Sequence, residues 1–313
     1  MPACDRTRSN VFLRDGVGNL YDHTVLECVP NFSEGRDSTV VVAIADAIAK
    51  TPRVLLLGAE SDTDHNRSVM TFAGTPDAVV EAAVRGVGKA AELIDLSAHQ
   101  GVHPRVGAAD VIPFVPLDGS TMEEAVAAAH RAGEEIWRRF GVPVYFYEQA
   151  ARRPERKRLE RVRRKEFDGA PPDIGNIAAH PTAGASVVGA RGLLIAYNVD
   201  LATRDVAVAQ AIARQIRASS GGFPDVKAMG IYLASRDCAQ VSMNLTNFAE
   251  TPLDRVYDTI AAAAHEHGTE AVAGEIIGFI PRRAYEIAPE FFRHAANFSE
   301  SRILETRIAE LLR

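Results

Sequence analysis

Cysteine is scarce in this sequence. Three occur among 313 residues, Cys4, Cys28 and Cys238, too few and too scattered for a disulfide framework or a thiolate metal cage. A reducing, cytoplasmic setting fits that scarcity. No apolar run reaches the length of a membrane span, and residues 1–24 lack the apolar core of a secretory signal, so they read as a flexible N-terminal extension. An excess of positive charge is missing too. Lys and Arg number 35 against 41 Asp and Glu, a formal charge of −6, which argues against nucleic-acid or membrane partners. Two chemical motifs are also absent. Gly86-Val87-Gly88 falls inside a helical pattern rather than after a strand, so it is no dinucleotide site, and no G-x-S-x-G elbow marks a serine hydrolase.

What is present is a regular alternation of elements, in a chain whose 47% hydrophobic and 24% charged residues suit a soluble, folded protein. Short apolar runs at 25–29, 54–57, 68–72 and 110–115 read as strands, and helical patterns follow the first and third of them. Asp37 or Ser38 can cap the first helix, and Thr75-Pro76 opens the second. A further helix, 122–140, opens with a Thr121/Glu124 capping box and leads to a short strand at 144–147. The order then recurs. Strands at 193–199, 226–233, 240–245 and 276–280 enclose helices, the first capped by Thr203 and the second opened by Thr251-Pro252. Phe72-Ala73-Gly74-Thr75-Pro76 is echoed by Phe248-Ala249-Glu250-Thr251-Pro252, and Asn31 with Arg36-Asp37 by Asn198 with Arg204-Asp205. The expectation is an α+β chain of two tandem ferredoxin-like (βαββαβ) units flanking a ligand groove, residues 25–170 and 171–313, the second ending in a helical tail.

Between the units, residues 152–169 carry nine Lys or Arg against Glu155, Glu160, Glu166 and Asp168. Such a segment is either a solvated helix face or an attractor for a multiply anionic small molecule. Just beyond it, Gly175, Gly184, Gly189 and Gly192 mark a small-residue loop that a ligand can approach closely. Of nine histidines, His130, His265 and His267 fall on helical patterns as ordinary surface or core residues. His99 and His103 share the four-residue spacing of a helical metal pair, but Gly101 and Pro104 argue against a helix, so no metal is expected. The segment 101–107 is a stiffened loop. His103 within it is either an acid/base group for chemistry near neutral pH or a structural loop histidine.

Several segments together carry a family resemblance: Glu27-Cys28-Val29-Pro30-Asn31-Phe32-Ser33-Glu34-Gly35, His65-Asn66-Arg67, His103-Pro104-Arg105-Val106-Gly107-Ala108, Asp110-Val111-Ile112-Pro113-Phe114, and Ala190-Arg191 before Leu194-Ile195-Ala196-Tyr197-Asn198. In this order they resemble the glutamate formiminotransferases, including the amino-terminal part of bifunctional formiminotransferase-cyclodeaminases, over residues 25–281. The chain ends too early for a cyclodeaminase half. The resemblance implies two ferredoxin-like subdomains about a folate groove, a homodimer, and a place in one-carbon and histidine metabolism. Its reaction moves a formimino group between 5-formiminotetrahydrofolate and L-glutamate, with tetrahydrofolate as co-substrate, formiminoglutamate as the other small-molecule partner, and no metal.

The same resemblance puts the catalytic histidine on His103 and the folate-binding segment on Gly175, Asn176, Ile177, Ala178, Ala179, His180, Pro181, Thr182, Ala183 and Gly184. A carboxylate of the relatives aligns with Glu60, with Asp62 and Asp64 close by, any of which would orient His103 or the amidinium. Asn31, Asn66, Arg67, Arg105 and Asp110 stand in the matching motifs as further candidates. Two departures stand out: the stretch before Pro172-Asp173 is shorter than in the bifunctional relatives, and His180 replaces an apolar residue of some. Rival expectations are transfer to another acceptor such as glycine, use of a formyl donor, and a non-catalytic folate-binding protein.

Overall fold

Alternating side chains build two sheets of unequal size. In the computed structural model, which describes residues 24–101, 104–117, 119–163, 171–176 and 179–313, the first sheet holds β1 (Leu26–Cys28), β2 (Asn31–Phe32), β3 (Val54–Asp62), β4 (Arg67–Gly74), β5 (Ala109–Pro116), β6 (Val144–Glu148) and β7 (Ser186–Ala190). Pro30 divides β1 from β2 because proline cannot donate to the ladder, and both pieces lie between β4 and β5. β3 pairs the outer side of β4, and β7 and then β6 continue in parallel beyond β5.

Three helices cover one face of this sheet: α1 (Ser38–Ala49), α2 (Pro76–Leu93) and α3 (Met122–Phe140). Asp37 caps α1 by accepting from Thr39 N, and the Thr121/Glu124 capping box opens α3 as expected. Phe32, Phe72, Phe114 and Phe146 are fully buried beneath them.

Two expectations change here. β3 runs on past the expected 54–57 to Asp62, with Glu60 opposite Val69 and Asp62 opposite Arg67, so both acids are strand residues. The first unit also extends past 170, because β7 completes the first sheet. β6 and β7 are adjacent and parallel, and a parallel pair needs a long crossover connection. The basic segment, in which α4 (Leu159–Val162) is a short helix, and the small-residue loop form part of that crossover, and Gly189 and Ala190 are strand residues.

The second sheet contains β8 (Ile195–Leu201), β9 (Val226–Leu233), β10 (Cys238–Leu245) and β11 (Ala271–Ile277), antiparallel throughout, in the order β11-β8-β10-β9. α5 (Val206–Ile216) follows β8 and α6 (Leu253–Glu266) follows β10. Asp205 caps α5, its carboxylate reaching Ala207 N, while Thr203 Oγ1 instead accepts from Asp205 N. β11 lies earlier than the periodicity indicated, and Ile280 makes only an isolated bridge to Ile303.

Short helices α7 (Arg282–Ile287) and α8 (Pro289–Arg293) precede α9 (Leu304–Leu311), which returns to the first sheet. There Leu304 is buried with Leu57 and Ala73, and Arg307 Nε donates to Leu57 O at 2.9 Å. Along each strand, alternate residues enter the helix-covered cores: Leu26, Cys28, Met70 and Phe72 in one, Tyr197, Val199, Val241 and Ile276 in the other. The intervening residues face the gap between the sheets. Among the described residues no helix is long and apolar enough to cross a membrane.

Candidate active site

Two adjoining hollows, about 840 and 300 Å³, open between the sheets. They share Tyr147, Leu159, Arg163, Arg191, Leu194, Ser242, Met243 and Asn244 as a common wall. The larger adds Pro104, Lys157, Arg158, Glu160 and Lys227, so the basic segment supplies one side of it. The smaller adds Glu27, Asn31, Glu60, Arg67, Asn198, Arg236 and Glu275.

Asp110 organises the wall from behind. Opposite β2 the register of β5 slips between Val111 and Ala109, and such a bulge re-aims a side chain. The fully buried Asp110 accepts from Arg67 Nη1 at 2.8 Å and Arg163 Nη2 at 2.6 Å on one oxygen, and from Val106 N at 2.7 Å on the other. Burial alone would raise its pKa, but Arg163, Arg67 and the backbone donor outweigh burial and hold it down at about 2. Arg67 is itself drawn down to about 10 by burial, against the support of Asp110. Its Nε donates to Asn31 Oδ1 at 2.8 Å, and Asn31 Nδ2 donates to Val29 O. Three sequence candidates, Asn31, Arg67 and Asp110, thus form one network with Arg163.

The loop that follows residue 103 is fastened to this network. Ser33 donates its hydroxyl to Gly107 O and its amide to Ala108 O, both at 2.8 Å. Ala108 N donates to Ala183 O, and Ala185 N to Val106 O. A Cβ on Gly107 would lie 1.9 Å from Ala185 O, so only glycine permits this approach. Gly184, at φ +66°, makes the matching turn. On the other side, Asn66 accepts from Gly35 N at 3.0 Å and donates to Gln100 O at 2.8 Å. Arg105 contacts the His99 ring.

His103, Ile177 and Ala178 lie outside the described residues. Of the rest of the expected folate segment, Gly175 packs on Trp137 and Pro143, and His180 Nδ1 accepts from Thr182 N and Ala183 N at 3.3 and 3.1 Å. Neither hollow is lined by Gly175, Asn176, Ala179, Pro181, Thr182, Ala183 or Gly184; among the described residues this segment buttresses the 104–109 loop. The three candidate acids diverge. Glu60 is bound by Arg302 and by Gly278 N, and burial raises its pKa more than Arg302 lowers it. Asp62 accepts from His65 N at 2.7 Å, and Asp64 from Ser235 across the gap.

Tyr147 and Arg236 were not singled out by sequence reasoning, and Arg191 and Glu27 stood only as members of longer motifs. Arg191 lies close to Tyr147, whose pKa burial pushes up to about 12 while Arg191 pulls it down. Arg236 bridges Asp200 at 2.9 Å and Glu275 at 3.1 Å; burial works against its charge, but these acids outweigh it and hold its pKa above the ordinary arginine value. Glu27, only 4% exposed, is pushed up to about 7 by burial, with Arg191 pulling it down and Glu305 pushing further. Its signal in the sequence is a lone acid between apolar strand residues.

Comparison with known proteins agrees with this architecture. Residues 25–191 match the N-terminal subdomain of the formiminotransferase domain, and residues 196–311 match the formiminotransferase domain. The two stretches meet between β7 and β8. The chain is 42% identical over 296 residues to the glutamate formimidoyltransferase of Thermoplasma acidophilum, spanning 91% of this chain and 97% of that one. It is 40% identical over 294 residues to the glutamate formimidoyltransferase of Streptococcus pyogenes, spanning 91% and 98%. With the formimidoyltransferase-cyclodeaminase of Gallus gallus it shares 42% identity over 282 residues, 86% of this chain and 52% of that protein.

Proposed function

The chain belongs to the formiminotransferase family, and from that premise we infer that its cleft moves a formimino group between 5-formiminotetrahydrofolate and L-glutamate. The two halves are read as ferredoxin-like units about a folate groove. The β11-β8-β10-β9 order of the second sheet and the equivalent β3-β4-(β1, β2)-β5 order within the first support that reading.

In the transfer, the glutamate nitrogen adds to the amidine carbon, and the bond from that carbon to N5 then breaks. The attacking nitrogen gives up a proton and N5 receives one. His103 carries that proton, since an imidazole titrating near neutrality can both take and return it. Pro104, its neighbour, lines the larger hollow. Arg67 and Arg163, charged and fixed by Asp110, offer forked donors to carboxylates. Lys157, Arg158 and Lys227 line the larger hollow, where the anionic tail of folate lies. Residues 175–184 act by seating the 104–109 loop. The enzyme works in the cytoplasm as a homodimer and uses tetrahydrofolate as co-substrate without a metal.

One observation carries this reading: a guanidinium-walled cleft in a chain 40–42% identical, over 91% of its length, to proteins named glutamate formimidoyltransferase. The test is incubation of the purified chain with 5-formiminotetrahydrofolate and glutamate, with glycine as a second acceptor. Transfer to glutamate that His103→Ala removes is expected. Absence of transfer to glutamate sinks the reading, and undiminished transfer by His103→Ala sinks the role of the histidine.

A further inference from the structure

Among the carboxylates of the smaller hollow, Glu27 has no assigned work. Glu60, Asp62 and Glu275 each accept a hydrogen bond from a protein donor, and Asp110 behind the wall accepts three. Among the described residues no hydrogen bond reaches the carboxylate of Glu27, although the residue is 96% buried by its 4% exposure. β1 sends Leu26 and Cys28 into the core, and the alternation turns Glu27 into the cleft. Its oxygens are not sealed inside protein but open on the cleft, so with no protein donor on them a ligand donor can reach them and complete the site.

We propose that Glu27 receives the N3–H and 2-amino edge of the pterin ring, an assignment that rests on the transferase reading above. The recognising chemistry is a planar N–C–N unit whose two N–H groups point the same way, matching the two oxygens of a carboxylate as an arginine fork does. The amidine of N-formiminoglutamate carries the same unit, whereas N5 of 5-formiminotetrahydrofolate bears no hydrogen, so the two sources of this chemistry are the pterin edge and N-formiminoglutamate. The surroundings favour the ring. Val29, Thr71 and Pro113 from the first sheet and Ala196, Ile277 and Phe279 from the second sector line the same hollow with apolar surface suited to a flat bicycle. The loop containing Val106 is tied to Asp110 at the opposite, Asn31 end of the strand pair, away from Glu27.

Proton release follows. The charged groups acting on Glu27 are Arg191 and Glu305, while β4 and β5 place uncharged Ala73 and Val115 opposite it. Burial with Glu305 leaves its pKa at about 7, and two ligand N–H donors favour the ionised form. Binding near neutral pH therefore transfers a proton from Glu27 to solvent, and affinity rises as pH rises through that value.

The experiment is anaerobic calorimetry of the full chain with tetrahydrofolate, in buffers of differing ionisation enthalpy, beside a titration with N-formiminoglutamate. Wild type is expected to release a proton on binding tetrahydrofolate. Glu27→Gln offers one acceptor and one donor to a two-donor edge, so it should bind tetrahydrofolate about 10- to 100-fold more weakly without proton release, and N-formiminoglutamate unchanged. Wild type should lose affinity similarly for 2-desamino-tetrahydrofolate, a comparison needing no variant, and Glu27→Asp should recover part of the proton release. Unchanged tetrahydrofolate affinity in Glu27→Gln, or a loss confined to N-formiminoglutamate, overturns this assignment alone. A wild-type chain that neither binds tetrahydrofolate nor transfers the group overturns the transferase reading and this assignment with it.

Discussion

At one end of the cleft Asp110 sits fully buried beneath two arginines and a backbone amide; at the other Glu27, nearly as buried, has only the distant pull of Arg191. Burial disfavours charge at both places. Where guanidinia and N–H groups converge, the carboxylate stays ionised down to about pH 2; where they do not, it keeps its proton up to about pH 7. The difference separates two uses of an acid in one sheet. Asp110 spends its oxygens on the protein and fixes a cationic wall, whereas Glu27 leaves its oxygens for what enters.

The sharpest way to break this contrast is Asp110→Ala. It strands Arg67 and Arg163 without their shared partner, and we expect a loss of about 3–5 kcal/mol in urea unfolding together with loss of transfer. A stability near wild type would mean that the network is dispensable.

Next comes the pH dependence of Glu27. Its folded pKa of about 7 exceeds the ordinary 4.5, so the folded state holds the proton more tightly, and stability present below 4.5 is lost as pH rises to about 7. Wild type should lose on the order of 3 kcal/mol across that window, and Glu27→Gln should show a flatter profile. Asp110 works with the opposite sign. Its stabilisation is present above 3.8 and disappears as pH falls through about 2, a change of about 2 kcal/mol.

Arg302→Met removes the partner of Glu60 at the margin of the cleft and should cost about 1–3 kcal/mol, read as a lower melting temperature and faster proteolysis within residues 304–311. The smallest effect belongs to Lys227→Gln. Its partly exposed pairs with Glu148 and Glu160 contribute under about 1 kcal/mol. Stability should hardly move, while tetrahydrofolate carrying a polyglutamate tail should bind more weakly and with less salt dependence.

Much of the molecule was legible because it follows local rules. The caps at Asp37 and Thr121, the apolar stripes of α2 and α3, and the recurring strand-helix order all express periods of 2 or 3.6. Asn31, Arg67 and Asp110 stood out as polar residues in motifs, and they meet. What stayed hidden depends on distant pairing. β7 reads as a small-residue loop until β5 and β6 lie beside it. The bulge that aims Asp110 is a relation between two strands, absent from either alone. Glu60, expected to serve the histidine, is held by Arg302 from 242 positions away, a partner no local pattern announces. Glu27 was read as part of a motif, and its isolation became visible only once every neighbouring acid had been given its donors.

The return of α9 to β3 bears on how the protein is made. Arg307 reaches Leu57 across 250 positions of sequence, and contacts of such separation form slowly and late. On the ribosome, the first sheet has all its strands once Ala190 has emerged, yet the apolar floor formed by Leu57, Ala73 and Leu304 must await α9. A nascent chain therefore carries a folded scaffold with an open floor until α9 has emerged, and only then is the packing beside the cleft complete.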